Sequence, residues 1–478
     1  MNEIVFDQAP LRFAREELIS LDEAERVHRL AIQVLQEIGL QVVHDGSLER
    51  LRAKGFCVKG DRVYFEPELV DEYVDEMRGW IASRSTPRSQ PDDGRLKLSV
   101  SSYALQVHDI DEDRVVPYTT ERLIDMCKLI DSLADDGVTG APPGIPLDEP
   151  PELQPIAQYR IAALYARQGA TPVDPTSAET VNHLLDMAEV MGRTIHSLPV
   201  YIPTPLRLGG ESLNVVLACL ERLTHISVSS MPSTGASAPI HPFGALALAT
   251  AEVMGGMVAL RLLTGKPVTF SVDILPFDLR AGAMVFGSPE NMLFQMLVAD
   301  FNRFYGWDWG QGFGNIHDMA KLPDVQAAAE KAAILALGAF LGKRRFGSAG
   351  TLSLDEIFSP EQLLADCEVR DWVQRAIQGV WTGEEAVDDW LAEIRAGVQG
   401  GFMALNSTLD HYKRHTWYPT RFERGAIGAW LDKGQPRLSD RLREEVRQRI
   451  AAHDFELGAD RRREIERIYQ AAQSAVCG

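Results

Sequence analysis

From about residue 120 onward the chain alternates short apolar runs with long helix-patterned stretches, and this rhythm constrains its fold more than any other feature. Candidate strands are VTGAP (138–142), TPVD (171–174), PVYIPTP (199–205), ISVSSMP (226–232), PVTFSVDIL (267–275), GWDWGQ (306–311) and RRFGSAG (344–350). Helical runs such as ESLNVVLACLERL and FGALALATAEVMGGMVALRLLTG separate them. Parallel strands need long crossovers, usually helices, so this alternation predicts a parallel α/β sheet. Repeated this often, it predicts a closed (β/α)8 TIM barrel, with a mixed cap before it and a helical extension after it. An open doubly wound sheet is the rival, but no GxGxxG follows the first strand.

The expected boundaries are a cap and linker over residues 1–97, the barrel over 98–400 and a helical extension over 401–478. In the cap, Leu21, Ala24, Val27, Leu30, Ala31, Val34 and Leu35 recur at spacings of three and four, which predicts one helix ending at Gly39. LQVVHD, SLERLRAKG, RVYF and PELVDEYVDEM follow as strand, helix, strand and helix. Residues 84–97 are polar and turn-rich, as a linker or surface loop would be. The last hundred residues read as helices that close the barrel or contact a neighbour.

Sixty-eight acidic against 48 basic residues leave a net charge of −20, which would repel a polyphosphate backbone, so nucleic acid is not an expected partner. The five cysteines are scattered and show no zinc spacing, which fits a reducing, cytoplasmic compartment. No basic-then-apolar leader and no uninterrupted apolar run of about 20 residues is visible, so neither secretion nor a membrane is expected.

Barrel chemistry belongs on the loops after the strands. The densest such stretch is YGWDWGQGFGNIH, where Tyr305, Trp307, Trp309 and Phe313 crowd together beside Asp308 and Gln311. On a strand, Trp307 and Trp309 would share a face, a candidate cage for a quaternary ammonium; filling of the core by these aromatics is the alternative. Asp273, at the end of the PVTFSVDIL strand, could balance an ammonium charge or serve as a cap. His317 could accept a proton, orient a polar group or be structural, and the same openness holds for His241 in its APIHP turn. Arg207, Arg280 and Phe277 lie on loops after strands, where the arginines could meet a substrate carboxylate. No Ser/His/Asp order, HExxH or phosphate loop is present.

The run SMPSTGASAPIHPFGALALATAEVMGGMVAL resembles the strand–turn–helix segment of the trimethylamine:corrinoid methyltransferase family. The likeness continues through DLRAGAMVFGSPENMLFQMLVADFNRFYG, DMAKLPDVQAAAEKA, FSPEQLLADCEV and NSTLDHYKRHTWYP. The resemblance implies a TIM barrel that moves a methyl group from an amine nitrogen to the cobalt of a separate corrinoid protein. It also implies that the chain itself binds no cofactor, and that it forms a homo-oligomer. The trimethylamine enzymes carry pyrrolysine just before the segment matched here by Asp318–Ala327, which puts His317 in that place. An ordinary residue there points to the subgroup acting on quaternary amines such as glycine betaine. Ser353 is a second departure, standing where the family more often has glutamate. The resulting site assignment has His317 and Asp273 as catalytic residues. Tyr305, Trp307, Trp309, Gln311, Phe313, Arg280 and Phe277 are assigned to the substrate. The rival functions are a barrel lyase or hydrolase using His317 and Asp273, and a non-catalytic binding protein for a cationic osmolyte.

Overall fold

The first helix, α1 (Leu21–Glu37), starts where Ser20 and Glu23 cap each other reciprocally, and it buries Ala24, Val27, Ala31 and Leu35 along one stripe. It stops at Gly39, whose φ of +75° a residue with a side chain rarely adopts. The structure is a computed structural model describing residues 10–84, 94–169, 173–308, 314–380 and 387–477. After α1 come β1 (Leu40–Val43), α2 (Asp45–Ala53), β2 (Cys57–Lys59), β3 (Arg62–Tyr64) and α3 (Pro67–Arg84). This part follows the sequence pattern closely, with β2 as the added strand of a β2–β3 hairpin.

The chain then runs through β4 (Lys97–Ser99), β5 (Gln106–Asp109), β6 (Arg114–Pro117), α4 (Thr120–Ser132), β7 (Val138–Thr139), α5 (Gln154–Tyr165) and α6 (Val181–Val190). Next are β8 (Pro199–Tyr201), β9 (Arg207–Gly209), α7 (Glu211–Ala218), β10 (Ile226–Ser229), α8 (Pro242–Thr264) and β11 (Val268–Phe270). A hairpin of β12 (Phe277–Asp278) and β13 (Ala283–Met284) leads to α9 (Pro289–Asn302) and α10 (Val325–Phe340). The final part holds β14 (Arg345–Phe346), β15 (Thr351–Leu352), β16 (Ile357–Phe358), α11 (Pro360–Ile377), α12 (Val387–Gly400), α13 (Asn406–His415), α14 (Ile427–Asp432), α15 (Leu438–Ala451) and α16 (Ala459–Cys477).

The fold is mixed α/β, and its centre is two parallel arcs, β14–β4–β7 and β8–β10–β11. A parallel bridge between Asn315 and Gly347 extends the first arc by one segment. β4 was not apparent in the sequence, yet it is the middle strand of that arc. Of the TPVD segment, Val173 and Asp174 are described and lie in no strand. Gly306–Asp308 are likewise not a strand, so the same-face placement of Trp307 and Trp309 has no support in the described residues.

Helices cover one face of each arc. One core packs β4, β7 and β14 against α4, α5, α10 and α11, and Leu442 and Val446 of α15 and Ile465 and Ile468 of α16 are buried in it. The helices α15 and α16 thus pack on the helices that cover the first arc. The other core sets β8, β10 and β11 against α1, α3 and α8. α8 is apolar and long enough to cross a membrane by composition, but most of it lies inside this core. Its Gly255 and Gly256 let it come close: a Cβ at Gly256 would lie 2.9 Å from Ile202 Cδ1 and 3.0 Å from Val228 Cγ1.

Candidate active site

That close approach fixes which way the strands face. Ile202 and Val228 point toward α8, so Tyr201, Ser227 and Ser229 point to the opposite, inner face. Thr269 pairs with Ser227 and shares this face. Beyond β11, whose three residues are all buried, burial alternates, with Val272 and Ile274 buried and Ser271 and Asp273 partly accessible. The inner face therefore carries hydroxyls, a phenol and a carboxylate, while the outer face is aliphatic. Asn302 pins the chain here: its side-chain oxygen accepts from the Val272 amide at 2.9 Å and its Nδ2 donates to the Val272 carbonyl at 2.8 Å.

Asp273 keeps some accessible area, yet protein surrounds it, and burial pushes its carboxyl up to about 7 despite a 2.9 Å hydrogen bond from the Ile274 amide. Near neutral pH it therefore exchanges between acid and carboxylate.

Three residues that sequence reasoning missed meet at the end of β8. The Tyr103 and Tyr201 hydroxyls donate to the same oxygen of Asp174, Oδ2, at 2.8 and 2.6 Å. Desolvation, with the Asp174 charge next, raises both phenols well above their ordinary value, so they stay protonated as donors. Asp174 and Tyr201 end two segments that the strand pattern had located, and the rule that barrel chemistry sits at strand ends was the available signal. Tyr103 follows β4 and had none.

His317 sits beside the bridge to β14. Its Nε2 is 2.7 Å from the Ser348 hydroxyl, and its ring tilts against Phe286 with centroids 4.7 Å apart. Burial, and secondarily the Lys331 charge, lower its pKa to about 3. A neutral ring that weakly basic is a poor proton acceptor at neutral pH, which disfavours a lyase or hydrolase built on His317 as base.

Behind it lies a buried ionic group. Lys331 Nζ is 3.1 Å from Asp366 Oδ2 and 4.0 Å from Asp318 Oδ2, with all three side chains at or below 1% exposure. Among the described residues neither Asp318 side-chain oxygen has a hydrogen-bond partner, and burial raises its pKa to about 7. The backbone around this group is strained: Ser348, Ser353 and Leu354 have φ of 64°, 53° and 69°. Ser353 also accepts a 2.7 Å hydrogen bond from Lys321. Strain of this kind persists where surrounding contacts over-determine it, and it collects at functional sites.

Other assigned residues are placed elsewhere. Tyr305 is fully buried, with its hydroxyl 3.1 Å from His28 Nδ1 and its ring edge-on to Phe270, Phe301 and Phe304. It belongs to the outer core, not to a cage, and the cage assignment for it is corrected. Trp307 packs on the same core and donates its indole N–H to the Phe270 carbonyl at 2.7 Å. Trp309, Gln311 and Phe313 lie outside the described residues. Arg280 is exposed and Phe277 half-buried in the β12–β13 hairpin. Arg207 is exposed on β9, which pairs with β1, and His241 precedes α8 without a side-chain cap bond. Among the described residues, no group of three His, Cys, Asp or Glu side chains could hold a metal ion.

Residues 6–473 match the sequence model described as trimethylamine methyltransferase. The chain belongs to the trimethylamine methyltransferase family. Among family relatives, the trimethylamine methyltransferase of Methanosarcina barkeri is 30% identical over 297 residues, 61% of this chain and 59% of that relative. The chain thus spans well under two thirds of that relative's length. The glycine betaine methyltransferase of Desulfitobacterium hafniense (strain Y51) is 24% identical over 426 residues, 86% of this chain and 88% of that protein. Among solved structures, the monomethylamine methyltransferase of Methanosarcina barkeri superposes with a TM-score of 0.43 at 12% identity, covering 92% of this chain and 89% of that one.

Proposed function

We propose that this family member moves a methyl group from the nitrogen of a quaternary or tertiary methylated amine to the Co(I) centre of a separate corrinoid protein. Its two parallel arcs would be parts of one eight-stranded barrel. The observation that carries the reading is the hydroxyl-bearing inner face itself, with Asp273 after β11 and Tyr201 at the end of β8 holding Asp174 together with Tyr103.

Such a face suits a cationic donor. The Asp273 carboxylate offsets the ammonium charge, and the Tyr103 and Tyr201 rings offer it electron-rich faces. When the methyl carbon passes to the cobalt of the acceptor, the C–N electron pair stays on nitrogen and a neutral amine leaves. A quaternary donor thus needs no general acid, which agrees with a neutral, weakly basic His317. What remains for the chain is orientation: holding the cation so that one methyl group points to the open end.

Isothermal titration of the purified chain with tetramethylammonium, trimethylamine, choline and glycine betaine tests this reading. Binding of at least one at millimolar concentration or below is expected. Failure of all four would remove it.

A further inference from the structure

The Tyr103–Asp174–Tyr201 group invites a sharper reading than a general ammonium site. Both phenols donate to one oxygen, Oδ2, and Asp174 has no other hydrogen-bond partner among the described residues. Among the described residues Oδ1 thus has no donor, on a residue that is only half-buried. The two rings are open as well, at 46% and 38% exposure, although Tyr201 occupies the inner face of a strand whose neighbours Val200 and Ile202 are buried. The three side chains come from separate segments, the end of β8 and two loops, so two phenols hold one carboxylate oxygen while Oδ1 has no partner among the described residues.

A carboxylate fixed in this way discriminates among methylated amines by the group at the far end of the molecule. A substrate carboxylate placed against Oδ1 meets a like charge and finds no donor. A hydroxyl placed there donates to Oδ1 and completes its hydrogen bonding.

We infer that Tyr103, Asp174 and Tyr201 form a specificity subsite that selects methylated ammonium compounds with a hydroxyl-bearing substituent over zwitterionic betaines. The inference rests on the proposed methyltransferase reading and narrows its donor. Within it, Asp174 is the discriminating group, and the two tyrosines aim it.

Choline and glycine betaine are the direct probes, because they share a trimethylammonium–methylene head and differ in a terminal alcohol or carboxylate. Titration calorimetry on the full chain should give choline a Kd about 10-fold or more below that of glycine betaine. In Asp174→Asn the ratio should shrink to within about 3-fold, since the like charge is gone and the acceptor is weakened. Glycine betaine binding as tightly as choline to the unaltered chain would overturn the inference while leaving the methyltransferase reading intact. A preference unchanged in a folded Asp174→Asn variant, checked by circular dichroism, would overturn it too. If neither probe, nor tetramethylammonium, nor trimethylamine binds the unaltered chain, the underlying reading fails first. The comparison on the unaltered chain stands even if the variant does not fold.

Discussion

His317 Nε2 lies 2.7 Å from the hydroxyl of Ser348, a residue whose backbone is held at φ 64°. The serine therefore does two opposed things: it fixes the imidazole, and it occupies a conformation that disfavours any side chain by about 1–2 kcal/mol. Replacing it separates the two. Ser348→Ala and Ser348→Gly both lose the hydrogen bond, but only glycine relaxes the backbone. Thermal melts should place Ser348→Gly above Ser348→Ala, while methyl-transfer rates of both fall by about 10-fold as the ring loses its anchor. Equal melting points, or rates matching the unaltered chain, would refute this account of the pair.

Stability should depend on pH through Asp318 and His317, with opposite signs. Asp318 has a folded pKa of about 7, above its ordinary 3.8, so its contribution is fully present below about 4 and is lost as pH rises through 7. His317 has a folded pKa of about 3, below its ordinary 6.5, so its contribution is present above 6.5 and is lost as pH falls toward 3. Asp318→Asn removes only the first. Its melting temperature should exceed that of the unaltered chain by roughly 2–5 °C at pH 8, with the difference shrinking toward pH 4. A difference that grows on acidification would contradict the assignment.

Lys331 is enclosed between two carboxylates and also donates to the Ser348 carbonyl at 3.1 Å. Lys331→Met would leave Asp366 and Asp318 facing each other without a cation, and should cost about 3–5 kcal/mol by chemical denaturation. Adding Asp366→Asn should return part of this, because asparagine removes the buried charge while its oxygen still accepts from Gly350 or Gln362, as Asp366 does. A double variant no more stable than Lys331→Met would show that the charge is not what matters.

The corrected place of Tyr305 also has a measurable consequence. Tyr305→Phe leaves His28 Nδ1 without its partner, so stability should drop by about 1 kcal/mol while amine affinity stays unchanged. A several-fold loss of affinity in a folded variant would return Tyr305 to the substrate.

These residues show where sequence was sufficient and where it was not. Local period and capping revealed α1 and α8, because a stripe at three-four spacing, or a long apolar run ending at Gly265, is written in adjacent residues. β4 was missed because three residues, KLS, carry too little alternation to stand out after a polar stretch. Asp273 and His317 could be singled out from their positions near strand ends. Tyr305 misled because clustered aromatics look the same in a core as in a cage, and its partner His28 lies 277 residues away. The same distance problem hid Tyr103, Asp174 and Tyr201, whose meeting depends on segments from three parts of the chain.

The central claim is methyl transfer, and its most direct measurement mixes the purified chain with a Co(I) corrinoid protein and methyl-labelled quaternary or tertiary amines. The account predicts label on the corrinoid and an equal amount of demethylated amine, both dependent on this chain. If the corrinoid protein accepts methyl from a trimethylamine methyltransferase in a parallel reaction but takes none from any of these amines with this chain, the account is wrong.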